Sequence, residues 1–458
     1  MYMGKALTEV RSPQRKLMPD TAGSEKRKQT SLWGIARAAR YNNKHRFRNL
    51  YGMLTLELLH EGWLSLNKKA ASGVDKVTAA DYSKNLESNL IGLWSRLKTK
   101  RYKAKLVRRK FIPKEGKGKE RPLGIPTLED KIVQSAVAKV LNAIYEADFL
   151  NTSYAYRPER GAKDAVSDLT YLLQFGVFGY VVEADIKGFY DNIDHDWLLR
   201  MLSLRIEDKA FLNLIRKWLK AGILNPDGTV KHPETGTPQG GIVSPILANV
   251  YLHYALDLWF EKVIKGDLKG QAIICRYADD WVCAFRYRED AEKFFKVLPK
   301  RLAKFHLEVE SSKTRILRFS RFHPGRDRVF IFLGFEFYWF PDRKGTIRVM
   351  RRTARKKQHC AIQRIKEWIR SNRHLPIREL FKTLNAKLVG HYNYYGVTTN
   401  SRSLWSFFGR VKENMFKWLN RRSQRKSYTW DKFKLLMERL RIARPRIVER
   451  KRLHQVCY

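Results

Sequence analysis

The sequence is poor in cysteine, in acidic residues and in long apolar runs. Its four cysteines include no Cys-x-x-Cys pair, so neither a zinc ribbon nor a disulfide scaffold is expected, and a reducing compartment is the default. No run of about 18 apolar residues is present, and the N-terminus has no apolar signal core. The sequence therefore predicts neither membrane insertion nor secretion.

The charge is strongly one-sided. Lys and Arg total 91 against 45 Asp and Glu, which gives a formal net charge of +46 at pH 7, and residues 343–458 alone hold 32 Lys and Arg against 6 Asp and Glu. Hydrophobic residues (44%) and aromatic residues (12%) are as frequent as in ordinary globular proteins, which excludes a disordered polybasic chain. Because so much like charge opposes compaction unless a polyanion neutralises it, nucleic acid is the expected partner.

The pattern of apolar residues predicts an α+β protein with several domains. Residues 1–30 are polar and aperiodic and are predicted to form a basic disordered tail. Helical periodicity follows, and short apolar strands alternate with helices in the middle of the chain. Beyond residue 343 the strand signals fade and three helical segments are predicted.

Three aspartates stand at the ends of predicted apolar strands. Asp279 and Asp280 lie at the apex of a predicted hairpin, where a solvated turn is the simple explanation because Asp favours turns. Two adjacent like charges repel, however, and a bound cation would remove that cost. Asp185 closes another apolar strand, and unlike Asp191 and Asp194 it has no ready explanation as a turn or cap residue.

Three carboxylates converging on one edge of a sheet would form a metal site. Such a set can hold two Mg²⁺ ions about 3.5 to 4 Å apart. One ion would lower the pKa of an attacking 3′-hydroxyl, and both would stabilise the charge of an in-line phosphoryl transfer. The sequence therefore predicts a nucleotidyl-transfer site at this edge.

Nine motifs in family order resemble the group II intron-encoded reverse transcriptases, or intron maturases, over nearly the full length of the chain. They are ASGVD at 71–75, KRYKAKLVRRKFIPK at 100–114, RPLGIPT at 121–127, SYAYRP at 153–158, ADIKGFYDNIDH at 184–195, GTPQGGIVSPILANVYLH at 236–253, RYADD at 276–280, SKTRIL at 312–317 and FLGFEF at 332–337. A lone Tyr-x-Asp-Asp would be weak support, and the ordered set is strong.

The resemblance implies a right-hand polymerase, with fingers and a palm built on an antiparallel sheet, followed by an α-helical thumb/X domain. The implied segments are a basic tail (1–30), a helical N-terminal extension (31–110), fingers (111–180), palm (181–342), thumb/X maturase domain (343–420) and a basic DNA-binding segment (421–458). The implied activity is RNA-directed DNA polymerisation, with binding of the intron RNA to promote splicing and retrohoming. The implied partners are group II intron RNA, an RNA template with a DNA primer, target DNA and dNTPs, without a membrane.

The same resemblance assigns site residues. Asp185, Asp279 and Asp280 would bind two Mg²⁺ ions, with a backbone carbonyl from Ile186. The residues that would bind the dNTP are Lys114, Arg121, Tyr190, Gln239 and Lys313. Lys and Arg suit a triphosphate, Lys313 would stand near the leaving pyrophosphate, and a bulky ring at Tyr190 would clash with a 2′-hydroxyl and select dNTPs.

The basic C-terminal part is expected to contact nucleic acid. The residues assigned to that role are Tyr394, Tyr395, Arg421, Arg422, Arg425 and Lys426. Tyrosines among Lys and Arg suit base stacking, although bundle core is the competing interpretation and at least one tyrosine of this segment is expected to be core. For the arginine run the alternative is a solvated helix end. His391 stands where many relatives have Trp, which leaves its role open.

Two other functions use the same features. One is a splicing-only RNA-binding maturase, which the intact aspartates disfavour; the other is a domesticated reverse transcriptase in defence or repair. A ribonucleotide polymerase is disfavoured by Tyr190. No H-N-H cluster or Cys pair like that of endonuclease-bearing relatives is present, so second-strand cleavage is not expected and a retrohoming primer would come from elsewhere. A bacterial cytoplasmic, nucleoid-associated location is expected, with an organelle as the alternative.

Overall fold

The computed structural model describes residues 31–113, 120–325, 327–422 and 427–449. Three residues with a predicted role, Lys114, Arg425 and Lys426, lie outside the described residues. Within these ranges helices outnumber strands, and the two are mixed along the chain as in an α+β protein.

The helices follow in chain order. They are α1 (Leu32–Tyr41), α2 (Leu56–Ser65), α3 (Ala79–Ser83), α4 (Leu86–Lys98), α5 (Leu128–Tyr145), α6 (Ala162–Phe175), α7 (His195–Ser203), α8 (Lys209–Leu219), α9 (Ser244–Leu252), α10 (Lys265–Asp267), α11 (Arg288–Ala303), α12 (Arg355–Asn372), α13 (Ile377–Tyr395), α14 (Ser401–Leu419) and α15 (Trp430–Arg439). Two π-helical segments, His253–Asp257 and Phe260–Ile264, lie between α9 and α10, and short 3₁₀ turns occur at Tyr51–Met53, Phe189–Asp191 and Ser311–Lys313.

The strands of the described ranges build three sheets. They are β1 (Val107–Pro113), β2 (Glu120–Ile125), β3 (Tyr180–Ala184), β4 (Ile223–Leu224), β5 (Val230–Lys231), β6 (Ala272–Tyr277), β7 (Asp280–Phe285), β8 (Arg315–Arg318), β9 (Phe330–Phe332), β10 (Phe335–Pro341) and β11 (Ile347–Thr353). The sheet orders are β2-β1-β4-β5, β6-β7-β3-β8 and β11-β10-β9.

Polar side chains set the starts of many helices. Each accepts a hydrogen bond from a backbone N–H of the first turn, which has no partner inside the helix. The capping residues are Ser31, Thr55, Thr78, Thr127, Asp194, Asp208 and Thr429. The predicted cap role of Asp194 is therefore confirmed, since its carboxylate accepts from Trp197 N at 2.7 Å.

The sheet of β6, β7, β3 and β8 is antiparallel throughout and carries the candidate site at one edge. Ala184 at the end of β3 pairs with Trp281 near the start of β7, and Tyr277 pairs with Asp280 across the β6–β7 turn. This register brings the residue that follows β3, Asp185, to the edge where the hairpin turns.

Three hydrophobic clusters form the core. Within the described residues, the first joins α1 to α5, α7 to α9 and α11 to one face of this sheet. The second lies between its other face, α6 and the β9–β10–β11 sheet, and the third joins α12 to α15. Because successive strand residues point to opposite faces, each strand contributes to two clusters. In β7, Cys283 belongs to the first cluster and its neighbour Val282 to the second, together with Cys275 of β6. Across the described ranges, no helix is long and apolar enough to cross a membrane.

The C-terminal part differs from the predicted pattern in two elements. Residues 347–353 form β11, inside the stretch expected to be helical, because Ile347, Val349, Arg351 and Thr353 alternate with residues on the other face. A fourth helix, α15, follows the three predicted ones. Charged residues in β11 hid the strand period, since Arg351 is itself buried and paired with Glu449.

Candidate active site

The three aspartates lie at the same edge of the β6–β7–β3–β8 sheet. Asp185 follows β3 and its backbone carbonyl accepts from Glu310 N at 2.8 Å. Ile186 is buried and forms an isolated bridge with Val309. Asp279 lies in the two-residue β6–β7 turn, and Asp280 opens β7. The predicted hairpin apex is therefore present.

The β6–β7 turn places a non-glycine residue in left-handed backbone. Ala278 has φ 56°, a region that costs an L-residue roughly 1–2 kcal/mol. Strain of this kind persists only where the surroundings hold it. Arg276 provides that support, since its Nη1 donates to the Ala278 carbonyl at 3.0 Å.

Arg276 is fully buried and holds the turn to the interior. Its Nε and Nη2 donate to the two carboxylate oxygens of Asp257 at 2.7 and 2.5 Å. Nη1 also donates to Asn249 Oδ1 at 3.1 Å, and Nη2 to Ser153 Oγ at 2.8 Å. Both charged side chains of the Arg276–Asp257 pair have no exposed surface. The bidentate pair thus anchors the turn to α9 and to the π-helical segment after it.

The carboxyls of the edge repel one another. Burial raises the pKa of Asp279, and the charge of Asp185 raises it further. The residue Asp280 is exposed as a whole, but protein atoms surround its carboxyl group. This burial raises the pKa of Asp280 to about 7, and the charges of Asp279, Asp185 and Glu183 raise it further. Such mutual repulsion is typical of carboxylates arranged to share cations.

Lys313 forms an ion pair with Asp185. This contact raises the pKa of the lysine, while its own burial acts in the opposite direction. Among the residues that the structure describes, no group of three or more His, Cys, Asp or Glu side chains is assembled closely enough to hold a metal ion. The donor chemistry nevertheless fits a hard divalent cation, because all three side chains are carboxylates, and burial together with neighbouring negative charge raises the pKa values of Asp279 and Asp280.

Tyr190 packs beside this edge. It is buried at 8% exposure in the 3₁₀ turn after Asp185, and its backbone carbonyl accepts from Thr237 N at 2.8 Å. Burial raises its pKa, followed by the effects of Tyr156, with which it shares a side-chain hydrogen bond, and of Asp279. The structure therefore brings Tyr190 and Asp279 together.

Arg121 and Gln239 meet although they are far apart in sequence. Arg121 Nε donates to Gln239 Oε1 at 2.6 Å, and Gln239 O accepts from Gly124 N at 2.7 Å. Gly240, next in the loop, has φ 120°, and a β-carbon there would overlap the Gly124 carbonyl oxygen. The charge of Arg121 lowers the pKa values of both Asp279 and Tyr190, so Arg121 and Gln239 belong to the same electrostatic environment as the aspartates.

The C-terminal candidates divide between surface and packing positions. Tyr392 is fully buried, which confirms that one tyrosine of this segment is core, whereas Tyr394 is 37% exposed and stacks on Phe335. Tyr395 also contacts Phe335. The structure thus places Tyr394 and Tyr395 against the β9–β10 hairpin.

The two described arginines of the basic run have different environments. Arg421 is exposed and lies over the Trp418 ring at 5.6 Å. Arg422 is half-buried and donates to Leu375 O at 2.8 Å, a contact that ties the end of α14 to the α12–α13 connection. Only Arg421 therefore presents its charge freely to solvent.

Two family models match separate parts of the chain. One, described as "Reverse transcriptase (RNA-dependent DNA polymerase)", covers residues 112–337 and includes all three aspartates. The other, "Group II intron, maturase-specific domain", covers residues 358–436 and includes Tyr394. The boundary between the two matches falls near β11.

Curated relatives extend the similarity beyond these segments. "Group II intron-encoded protein LtrA" of Lactococcus lactis subsp. cremoris is 29% identical over 83% of this chain and 75% of its own length. "Protein YkfC" of Escherichia coli is 31% identical over 63% of this chain and 81% of its own length. The chain belongs to the group II intron-encoded reverse transcriptases. "Putative COX1/OXI3 intron 1 protein" of Saccharomyces cerevisiae is 34% identical, over 39% of this chain and 22% of its own length.

Membership in the group II intron-encoded reverse transcriptases gives the chain its general activity. It is an RNA-directed DNA polymerase with a maturase function in intron splicing. The family requires a divalent metal ion, typically Mg²⁺. Its maturase-specific segment binds group II intron RNA.

The residues that hold the site together carry little signal in the sequence. Arg276 and Asp257 are charged residues inside otherwise apolar segments, and that signal predicts a buried pair, although not which partner. Tyr156 lies in a loop and carried no signal beyond its motif. Leu333, whose N–H donates to Asp280 Oδ2 at 3.3 Å, is an apolar residue that contributes through its backbone, which no side-chain pattern reveals.

Proposed function

We propose that the chain copies RNA into DNA at the edge of the β6–β7–β3–β8 sheet. The carrying observation is that Asp185 and the distant pair Asp279 and Asp280 lie at one edge of this sheet inside the reverse transcriptase segment, where the charge of Asp185 contributes to the raised pKa values of the pair. The proposed arrangement is a right hand, with fingers at 111–180, a palm at 181–342, a thumb/X domain at 343–420 and a basic DNA-binding segment at 421–458. The separate hydrophobic cluster of α12 to α15 supports the helical thumb/X unit.

The aspartates, with the Ile186 carbonyl, would hold two Mg²⁺ ions. When bound, these ions supply charge neutralisation for an attacking 3′-hydroxyl and a leaving pyrophosphate. Asp279 and Asp280, whose pKa values are raised by burial and further by neighbouring negative charge, gain from a bound cation, which supports this role. In the structure Lys313 forms an ion pair with the Asp185 carboxylate. In the working enzyme its ammonium group would contact the leaving pyrophosphate instead.

The incoming nucleotide would lie between the aspartates and the loop of Gln239. Arg121 is the proposed triphosphate contact on this side, together with Lys114, and its bond to Gln239 orients the guanidinium. The buried ring of Tyr190, near Asp279, would block a 2′-hydroxyl and so select dNTPs over ribonucleotides.

The basic C-terminal surface would hold structured RNA and target DNA. Arg421, exposed beside Trp418, is the described member of the proposed phosphate contacts, with Arg425 and Lys426. Arg422 would have a structural role, because its guanidinium donates a hydrogen bond to the Leu375 carbonyl. The proposed setting is retrohoming of an intron in a bacterial cell, at the nucleoid, with a primer supplied from elsewhere.

Primer extension on an RNA template with Mg²⁺ and dNTPs tests the site. Asp279→Asn keeps the side-chain shape and removes the charge, so the rate should fall by about 10³-fold or more, the equivalent of several kcal/mol of lost charge stabilisation. The matched control is Asp191→Asn, an exposed aspartate of the segment after Asp185, which should extend at the unmodified rate. Full activity of Asp279→Asn would refute the proposed site.

The Asp279→Asn variant also distinguishes the proposed function from a splicing-only maturase. If RNA binding by the C-terminal helices and polymerisation at the aspartates are independent, Asp279→Asn should still promote splicing of the cognate intron. A protein that splices its intron but extends no primer even with all aspartates intact would favour the splicing-only function.

A further inference from the structure

The β9–β10 turn contacts the candidate active site through its backbone. Leu333 N donates to Asp280 Oδ2 at 3.3 Å. Leu333 and Gly334 form the two-residue turn between Phe332 and Phe335, and both have positive φ, at 50° and 79°. A leucine in left-handed backbone is strained, so the turn needs contacts that hold it.

Those contacts come from the C-terminal helices and from the chain just before them. Tyr394 of α13 donates its hydroxyl to Leu333 O at 3.0 Å and stacks its ring on Phe335, with ring centroids 5.9 Å apart. A β-carbon at Gly334 would lie 2.9 Å from the Tyr395 hydroxyl, so the two tyrosines enclose the turn. Gly334 O accepts from Ala354 N at 2.9 Å, just before α12.

One residue, Leu333, therefore links two family segments through its backbone. Its N–H side reaches Asp280, which belongs to the reverse transcriptase match at 112–337. Its C=O side is held by Tyr394, which belongs to the maturase-specific match at 358–436. The Leu333 N–H and C=O lie in successive planar peptide groups that share one Cα, and the pairing of Phe332 with Phe335 closes the two-residue turn around them. A displaced Leu333 carbonyl is therefore expected to displace the amide that contacts the Asp280 carboxylate.

We infer that Tyr394 is a positioning residue for polymerisation: its hydroxyl, supplied by the maturase-specific segment, fixes the Leu333–Gly334 turn so that the Leu333 amide orients Asp280. The inference rests on the proposed function of the aspartates. It gives Tyr394 a role other than the predicted stacking on nucleic acid, because its ring already stacks on Phe335. The reverse transcriptase segment alone thus lacks one contact of its own site.

The test compares Tyr394→Phe with Tyr392→Phe in the full chain. Both remove one hydroxyl from α13, but Tyr392 donates to Ala443 O at 3.3 Å, away from the turn. Because one hydrogen bond is lost, Tyr394→Phe should lower kcat for single-nucleotide addition by about 2- to 10-fold. The KM for dNTP and the template–primer Kd should stay within about 2-fold, and Tyr392→Phe should behave like the unmodified protein in all three.

Hydrogen exchange of the metal-free protein supplies a readout that does not depend on activity. The Leu333 amide should exchange about 2- to 10-fold faster in Tyr394→Phe, with exchange in β6 and β7 unchanged. An unchanged Leu333 exchange rate, or an unchanged kcat, would overturn the inference. The inference would also be overturned if Tyr394→Phe changed neither kcat nor Leu333 exchange while Tyr394→Ala weakened template–primer binding. That pair of results would identify the tyrosine ring as a base-stacking contact. In each of these cases Asp279→Asn would still abolish extension, so the proposed function would stand.

Discussion

The β6–β7 turn and the β9–β10 turn both lie beside Asp280 but differ in what holds them. Each has a non-glycine residue in left-handed backbone, Ala278 at φ 56° and Leu333 at φ 50°, and each has its carbonyl held by a single side chain. Arg276, which holds the first, is fully buried and paired with Asp257. Tyr394, which holds the second, is 37% exposed.

The difference teaches where the site is rigid and where it can respond. We call Arg276 the first anchor and Tyr394 the second. Losing Arg276 would leave Asp257 as a buried charge without its partner, so the β6–β7 turn is coupled to the stability of the whole core. Losing the second costs one hydrogen bond at the surface, so the β9–β10 turn is coupled mainly to the placement of helix α13.

The largest effect is expected from breaking the first anchor. Arg276→Met leaves Asp257 buried and uncompensated, so the free energy of unfolding should fall by about 3–5 kcal/mol, measured by denaturant titration. Adding Asp257→Leu removes the isolated charge and should recover most of that loss. Primer extension should stay impaired in the double variant, because the Ala278 carbonyl still lacks its donor; unmodified activity there would show that Arg276 serves the core alone.

Acid should weaken the packing around the first anchor, Arg276, and its partner Asp257. His253, in the π-helical segment beside Asp257, has its pKa lowered from 6.5 to about 4, first by burial and then by the charges of Arg276, Arg157 and Lys262, against an opposing effect of Asp257. The unfolded chain therefore binds a proton that the folded chain does not. Stability should be complete above about pH 6.5 and lost as the pH falls towards 4, by at most about 3 kcal/mol from this residue.

The measurement is the unfolding free energy of His253→Gln as a function of pH. Its slope between pH 6.5 and 4 should be smaller than that of the unmodified protein. The control is His374→Gln, an exposed histidine in the C-terminal part, which should keep the original slope. Equal slopes for the two variants would show that His253 does not cause the loss of stability in acid.

The smallest effect concerns the strain in the first turn. Ala278→Gly should change the unfolding free energy by less than about 1 kcal/mol, because relief of left-handed strain offsets the greater freedom of glycine in the unfolded chain. The matched control is Ala284→Gly in the interior of β7, where no strain is relieved, so that glycine should cost about 1 kcal/mol or more. If denaturant titration gives the two variants equal losses, Ala278 stores no strain.

Much of the site could be predicted because its signals are local. Asp279 and Asp280 interrupt an apolar hairpin, Asp185 closes an apolar strand, and short-range rules place such residues at strand ends. The helical character of the C-terminal part also followed from periodicity. The exception was β11, where buried or paired arginines conceal the period of two.

The anchors could not be predicted because they depend on long-range contacts. Arg276 finds Asp257 19 positions away through a π-helical segment, and Leu333 meets Tyr394 61 positions away. A backbone amide at Leu333 has no side-chain signature at all.

By itself the sequence determined the chemistry of this protein: a basic chain for a polyanion, three carboxylates at strand ends, and the ordered motifs of its family. Only the tertiary structure decided which residues hold those carboxylates in place. The physical reason is that residue type and strand period are encoded locally, whereas the partner of a buried charge or of a strained turn is selected by packing between segments far apart in the chain.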